Sequence, residues 1–156
     1  ADDLWPAGKI ERQLARLLRQ PEVSMVSGQT CYFDKAAEDG LTPAADSRIE
    51  TIFHVHLGCC LYRRTFLESL GRFDETLLFA EDADLMLRVR ESGRPFTILR
   101  SPELFYRRHA SSMTASGNPR LAQCFRLAAH NSLKRRRAAG TLGIPLKDFS
   151  SYLEPS

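Results

Sequence analysis

Three carboxylates, Glu81, Asp82 and Asp84, stand together just before an apolar run of Leu85, Met86, Leu87 and Val89. A carboxylate fixed at a helix start stays ionised beside the positive end of the dipole and is well placed to act as a general base. The same pattern has a reading without chemistry. Acids in a first turn complement the dipole, and Asp84 and Arg88 are spaced to pair on one helical face. Just upstream lies Gly71-Arg72-Phe73-Asp74-Glu75.

Other groups could join a site. Asp2 and Asp3 are adjacent acids that could hold a hard divalent cation, or simply a solvated chain end. His109 closes a predicted strand ahead of a polar loop, where sites are commonly built and where a neutral imidazole can ligate a metal. His54 and His56 alternate and would share a strand face, a weak pattern for a metal pair. His130 falls inside a long helix and reads as structural. The run Lys134, Arg135, Arg136, Arg137 complements a helix C-terminus, with contact to an anionic membrane surface as the functional alternative.

Bulk properties narrow the classes. With 156 residues the chain fits one domain, and 43% hydrophobic with 26% charged residues is ordinary for a globular protein. A net charge of +3 does not argue for nucleic-acid binding. No apolar stretch approaches the ~20 residues that span a bilayer. The cysteines, Cys31, Cys59, Cys60 and Cys124, fit neither a zinc motif nor a disulfide framework. They read as reduced core residues, which favours a reducing, cytoplasmic compartment. The chain starts at Ala1 without Met or a signal peptide and reads as a fragment or processed product.

The elements that must position these groups follow from periodicity. Residues 8 to 19 predict a helix buried through Ile10, Leu14, Leu17 and Leu18, with Lys9, Glu11, Arg12 and Arg16 on other faces. Residues 23 to 33 predict a strand with a bulge or bend at Gly28. Residues 34 to 48 predict a surface loop or hairpin end. Strands follow at 49 to 57 and 59 to 62, then a short helix at 65 to 70 capped by Gly71. The acidic helix spans 81 to 91. Two strands are expected at 95 to 99 and 104 to 107, a polar loop at 110 to 118, and a helix from 119 to 137. That last helix would bury Leu121, Phe125, Ala128 and Leu133. Strands alternating with helices give an α/β class.

Four blocks, in order, resemble the C-terminal half of family 2 glycosyltransferases with the GT-A fold. Asp2-Asp3-Leu4-Trp5-Pro6-x-x-Lys9-Ile10-x-x-Gln13 is similar to the stretch containing and following the family's Asp-x-Asp motif. Gly58-x-x-x-x-Arg63-Arg64-x-Phe66-x-x-x-Leu70-Gly71-x-Phe73-Asp74-Glu75 is similar to the acceptor-side segment. Glu81-Asp82-x-Asp84-Leu85-x-x-Arg88 is similar to the Glu-Asp catalytic motif. Tyr106-Arg107-x-His109-x-x-Ser112-x-Thr114 is similar to the closing strand and loop.

The resemblance covers residues 1 to 115, leaving 116 to 156 as a helical C-terminal extension. It implies a partial GT-A mixed sheet flanked by helices. It also implies inverting transfer of a sugar from a nucleotide-diphosphate donor to a carbohydrate or lipid-linked acceptor, with Mn2+ or Mg2+ on the leaving diphosphate. By the match, Asp82 is the base, Glu81 positions the acceptor, and Asp2, Asp3 and His109 are metal ligands. Arg63, Arg64 and Arg107 contact phosphate or hold the loop.

The first Asp of Asp-x-Asp and the nucleotide-binding half would both precede Ala1. The isolated chain is therefore expected to bind nucleotide sugar poorly and turn over little, and its open sheet edge to invite self-association. The expected location is the cytoplasm, either free or at the inner face of the membrane. The alternative is a non-catalytic sugar- or protein-binding module on a degenerate GT-A scaffold. A third reading is an unrelated α/β domain whose acids serve helix starts alone.

Overall fold

The structure, a computed structural model, describes residues 3–52, 56–109 and 119–155. The chain is mixed α/β and divides into two compact units. One comprises Ala1–Arg63, Pro95–Ser112 and Phe149–Ser156, the other Arg64–Arg94 and Met113–Asp148.

The first unit is built on a sheet. It holds helix α1 (Lys9–Arg19) and strands β1 (Met25–Phe33), β2 (Glu50–Ile52), β3 (Leu61–Tyr62) and β4 (Thr97–Arg107). Strand β1 is central. It pairs in parallel with β4 along one edge, and antiparallel with β3 at its start and β2 at its end along the other. Both of its faces are covered, so Met25, Val26, Ser27 and Thr30 are fully buried.

The irregularity expected at Gly28 is present. Ser27 pairs with Ile98, Gln29 with Pro102 and Thr30 with Leu104, so β4 carries the extra residues. Pro102, which cannot donate to a ladder, sits within this bulged stretch. The bulge lets one continuous strand run where the sequence suggests two. A Cβ on Gly28 would lie 2.2 Å from Glu103 Cγ and 2.8 Å from Ser101 O, so glycine is needed for close approach of the two strands.

Within the spans expected as strands at 49 to 57 and 59 to 62, Glu50–Ile52 and Leu61–Tyr62 pair among the described residues, and Leu57–Cys59 forms a 3-10 turn instead. His54 falls outside the described residues. The cysteines are free; Cys31 and Cys59 are buried, Cys60 and Cys124 half-buried. The loop after β1 is a hairpin, with Ala37 N donating to Thr42 O and Ala44 N to Lys35 O.

Helix α1 corrects the expected amphipathic pattern. Its buried residues are Lys9, Gln13 and Leu17, while Ile10, Leu14 and Leu18 are 40%, 46% and 70% exposed. Both sets repeat every four residues, so spacing alone cannot select between them. Polar contacts decide. Gln13 Nε2 donates to Cys59 O at 2.7 Å, and the Lys9 ammonium lies 4.1 Å from the Trp5 ring centroid.

The outer edge of β4 is partly covered by the chain itself. Leu4 bridges Phe105, and Leu153 bridges Ile98. Tyr152 stacks on Phe96 at 3.7 Å between centroids.

The second unit contains helices α2 (Arg64–Ser69), α3 (Glu81–Glu91) and α4 (Pro119–Ala138). Helix α3 packs on α4. Here too the expected stripe needs correction: Ala128 is buried, but Phe125 and Leu133 are 49% and 50% exposed. The inward face of α4 carries Ala128, Ser132 and Arg135, small residues that permit close packing and a cation that reaches α3. No described helix is long and apolar enough to cross a membrane.

Candidate functional site

The acidic run begins with an unusual backbone. Ala80 has φ 61° and ψ 20° and is the one described non-glycine residue with positive φ. A left-handed alanine costs about 1–2 kcal/mol. Its carbonyl nevertheless accepts the first helical bond, from Asp84 N at 3.0 Å. The turn places Glu81 and Asp82 at the head of α3, with Glu81 exposed and Asp82 half-buried.

The three acids then diverge. Asp84 is 2% exposed, and each of its oxygens is taken by a different arginine. Arg88 Nε donates to Oδ2 and Arg135 Nη1 to Oδ1, both at 2.9 Å. Arg135 also donates to both oxygens of Glu91, at 2.7 and 3.1 Å. Burial works against the charge on Arg135, but Glu91 and Asp84 outweigh it and raise its pKa above the ordinary value. Arg88 extends the network by donating to Leu70 O at 2.7 Å and Gly71 O at 3.2 Å.

Asp82 is used differently. Its Oδ1 accepts from Ala83 N at 2.7 Å, and Oδ2 has no partner among the described residues. Neither Glu81 nor Asp82 forms an ion pair among the described residues. In the same unit, Asp74 accepts from Thr76 N and Oγ1, bonds that hold its carboxyl below the usual range. Its other oxygen accepts from Asn131.

The remaining candidates lie in several places. Asp3 and Arg107 meet at the C-terminal end of β4, where Asp3 Oδ1 accepts from Arg107 N at 3.1 Å. Arg107 Nε is buried and finds no acceptor among the described residues. His109 is exposed two positions further on. Asp2, Ser112 and Thr114 lie outside the described residues. Among the described residues no three His, Cys, Asp or Glu side chains are grouped to hold a metal, so Asp3 and His109 do not make a donor set by themselves.

Arg63 is engaged with its own fold. Its guanidinium donates to Val23 O at 2.8 Å and to Leu17 O and Gln20 O, closing the C-terminal end of α1. Arg64 is 90% exposed and only 4.0 Å from Glu68. Arg136 donates to the carbonyls of Thr141, Leu142 and Ile144 after α4 ends, while Lys134 and Arg137 are exposed.

One grouping is not evident from the sequence. His56 stacks on Tyr106 at 5.1 Å, and its Nε2 lies 3.3 Å from Tyr32 Oη. Arg108 covers the other ring, 3.5 Å from the Tyr32 centroid. The strand register that pairs Tyr32 with Tyr106 creates this cluster and brings His56 to it, while His54, the other member of the His-x-His pattern, lies outside the described residues. Compared with known proteins, the chain matches no protein-family model and none of the curated proteins.

Proposed function

We propose that the chain is the acceptor-side part of an inverting, metal-dependent family 2 glycosyltransferase of the GT-A type. The observation that carries this is the separation of the acids on α3. Asp84 is consumed by two arginines, whereas Asp82 keeps one carboxylate oxygen unspent at the helix head. In the proposed reaction, that oxygen takes the acceptor hydroxyl proton. The acceptor oxygen bonds to the anomeric carbon from the face opposite the leaving group, and the bond to the diphosphate breaks. Glu81 beside it orients the acceptor. Of Arg63, Arg64 and Arg107, the last two keep donors for phosphate.

When bound, Mn2+ or Mg2+ would neutralise the leaving diphosphate. Asp3 and His109 would contribute to holding it but do not complete a donor set among the described residues, and Asp2 lies outside them.

The test is sugar transfer from nucleotide-diphosphate donors by the natural full-length protein, with and without Asp82→Asn. Loss of a positioned general base lowers turnover roughly 10²- to 10⁴-fold. Unchanged transfer removes Asp82 from the mechanism. Calorimetric binding of a nucleoside diphosphate and Mn2+ with no transfer by the wild-type protein marks the non-catalytic binding module.

A further inference from the structure

Helix α4 carries Arg120, Arg126, Lys134, Arg135, Arg136 and Arg137 and no acidic residue over its 20 residues. The structure divides these cations by use. Arg135 is committed to Asp84 and Glu91, and Arg136 to the carbonyls that follow the helix. Arg126, Lys134 and Arg137 are exposed and make no hydrogen bond or ion pair among the described residues. At 100° per residue they share the face opposite buried Ala128 and Ser132, together with His130. Leu127 and Leu133, 39% and 50% exposed, flank them, one on each side.

We propose that this face of α4 docks on an anionic lipid surface. Three unpartnered cations with no acid on the helix complement lipid phosphates and carboxylates. The two leucines that flank them can enter the boundary between headgroups and acyl chains as the cations meet the phosphates. A nucleic acid offers the same negative charge, but this face has no Phe, Tyr or Trp on which successive bases could stack, and His130 alone makes no platform. The surface is therefore a different set from the continuous run at 134 to 137. It uses none of the carboxylates of α3 and stands independently of the proposed transfer reaction.

The experiment is co-sedimentation of the chain with vesicles of phosphatidylcholine alone or with about a third phosphatidylserine, at low and high salt. The expected result is binding only to the anionic vesicles, weakened by salt. Each cation near such a surface strengthens binding about fivefold, so Arg126→Gln, Lys134→Gln and Arg137→Gln together weaken it roughly 100-fold. Leu133→Ser weakens it at both salt concentrations, which also decides the matter if the triple variant does not fold. Arg19→Gln, an exposed cation of α1, leaves binding unchanged. Equal binding to neutral vesicles, no binding to anionic ones, or wild-type binding by the triple variant overturns the proposal. So does capture of duplex DNA in the absence of vesicle binding.

Discussion

Helices α1 and α3 have equal length, 11 residues, and both bury charge, but they satisfy it differently. Under α1, Lys9, Gln13 and Glu103 are almost wholly inaccessible, and Gln13 Oε1 and Glu103 Oε2 have no hydrogen-bond partner among the described residues. Burial pulls the Lys9 pKa below its ordinary value, against the opposing influence of Cys59, Cys60 and Glu103. Under α3, the Asp84 carboxylate has a separate arginine on each oxygen. A buried polar atom left unpaired costs about 1–3 kcal/mol. The first arrangement leaves two carbonyl or carboxylate oxygens so, whereas in the second the carboxylate is fully paired and the cost falls on a donor, Arg88 Nη2, which has no partner among the described residues. The paired carboxylate also sorts the acidic run. It commits Asp84 to the fold and leaves Glu81 and Asp82 without an ion pair among the described residues, as the proposed roles require.

The largest stability effect should come from opening the Asp84 network. Asp84→Ala strands the guanidinium of Arg88, 10% exposed, and leaves Arg135, 33% exposed, with Glu91 alone, and should cost about 3–5 kcal/mol in a urea titration. A loss below about 1 kcal/mol means that the pairs are ordinary surface contacts.

The orientation of α1 comes next. Leu17→Ala, at a position 4% exposed, should cost about 2–5 kcal/mol. Leu18→Ala, at a position 70% exposed, should fall within about 0.5 kcal/mol of wild type. The opposite order would restore the face with Ile10, Leu14 and Leu18 as the buried one. Smaller again is Gly28→Ala. Its methyl would overlap Glu103 Cγ at 2.2 Å, an overpacking that should cost about 1–3 kcal/mol by thermal melting. A neutral result would mean that the β4 bulge relaxes freely.

How much of this was legible depended on whether local rules or partners decide. Helix α3 runs over the residues its composition suggests, because its acidic start and apolar body agree. The bulge at Gly28 was visible as a glycine inside a strand pattern. The face of α1 was not, because two stripes share its period and the choice rests on Cys59 O and Trp5, which periodicity does not contain. The continuity of β4 was hidden by Pro102, which reads as a break until a bulge is there to accept it. In the candidate site, the pairing of Asp84 with Arg88 followed from helical spacing, but the second arginine, Arg135, comes from a helix far along the chain. Arg63 reads as a phosphate contact until the end of α1 is placed beside it.

If neighbouring acids of one helix turn have separate duties, a matched pair of isosteric variants separates them. Asp82→Asn and Asp84→Asn in the full-length protein should each be assayed for sugar transfer and for unfolding free energy. Asp82→Asn should keep its stability within about 0.5 kcal/mol while transfer falls at least 100-fold. Asp84→Asn should lose stability first. Full transfer by Asp82→Asn, or a stability loss there as large as at Asp84, would contradict that separation of duties.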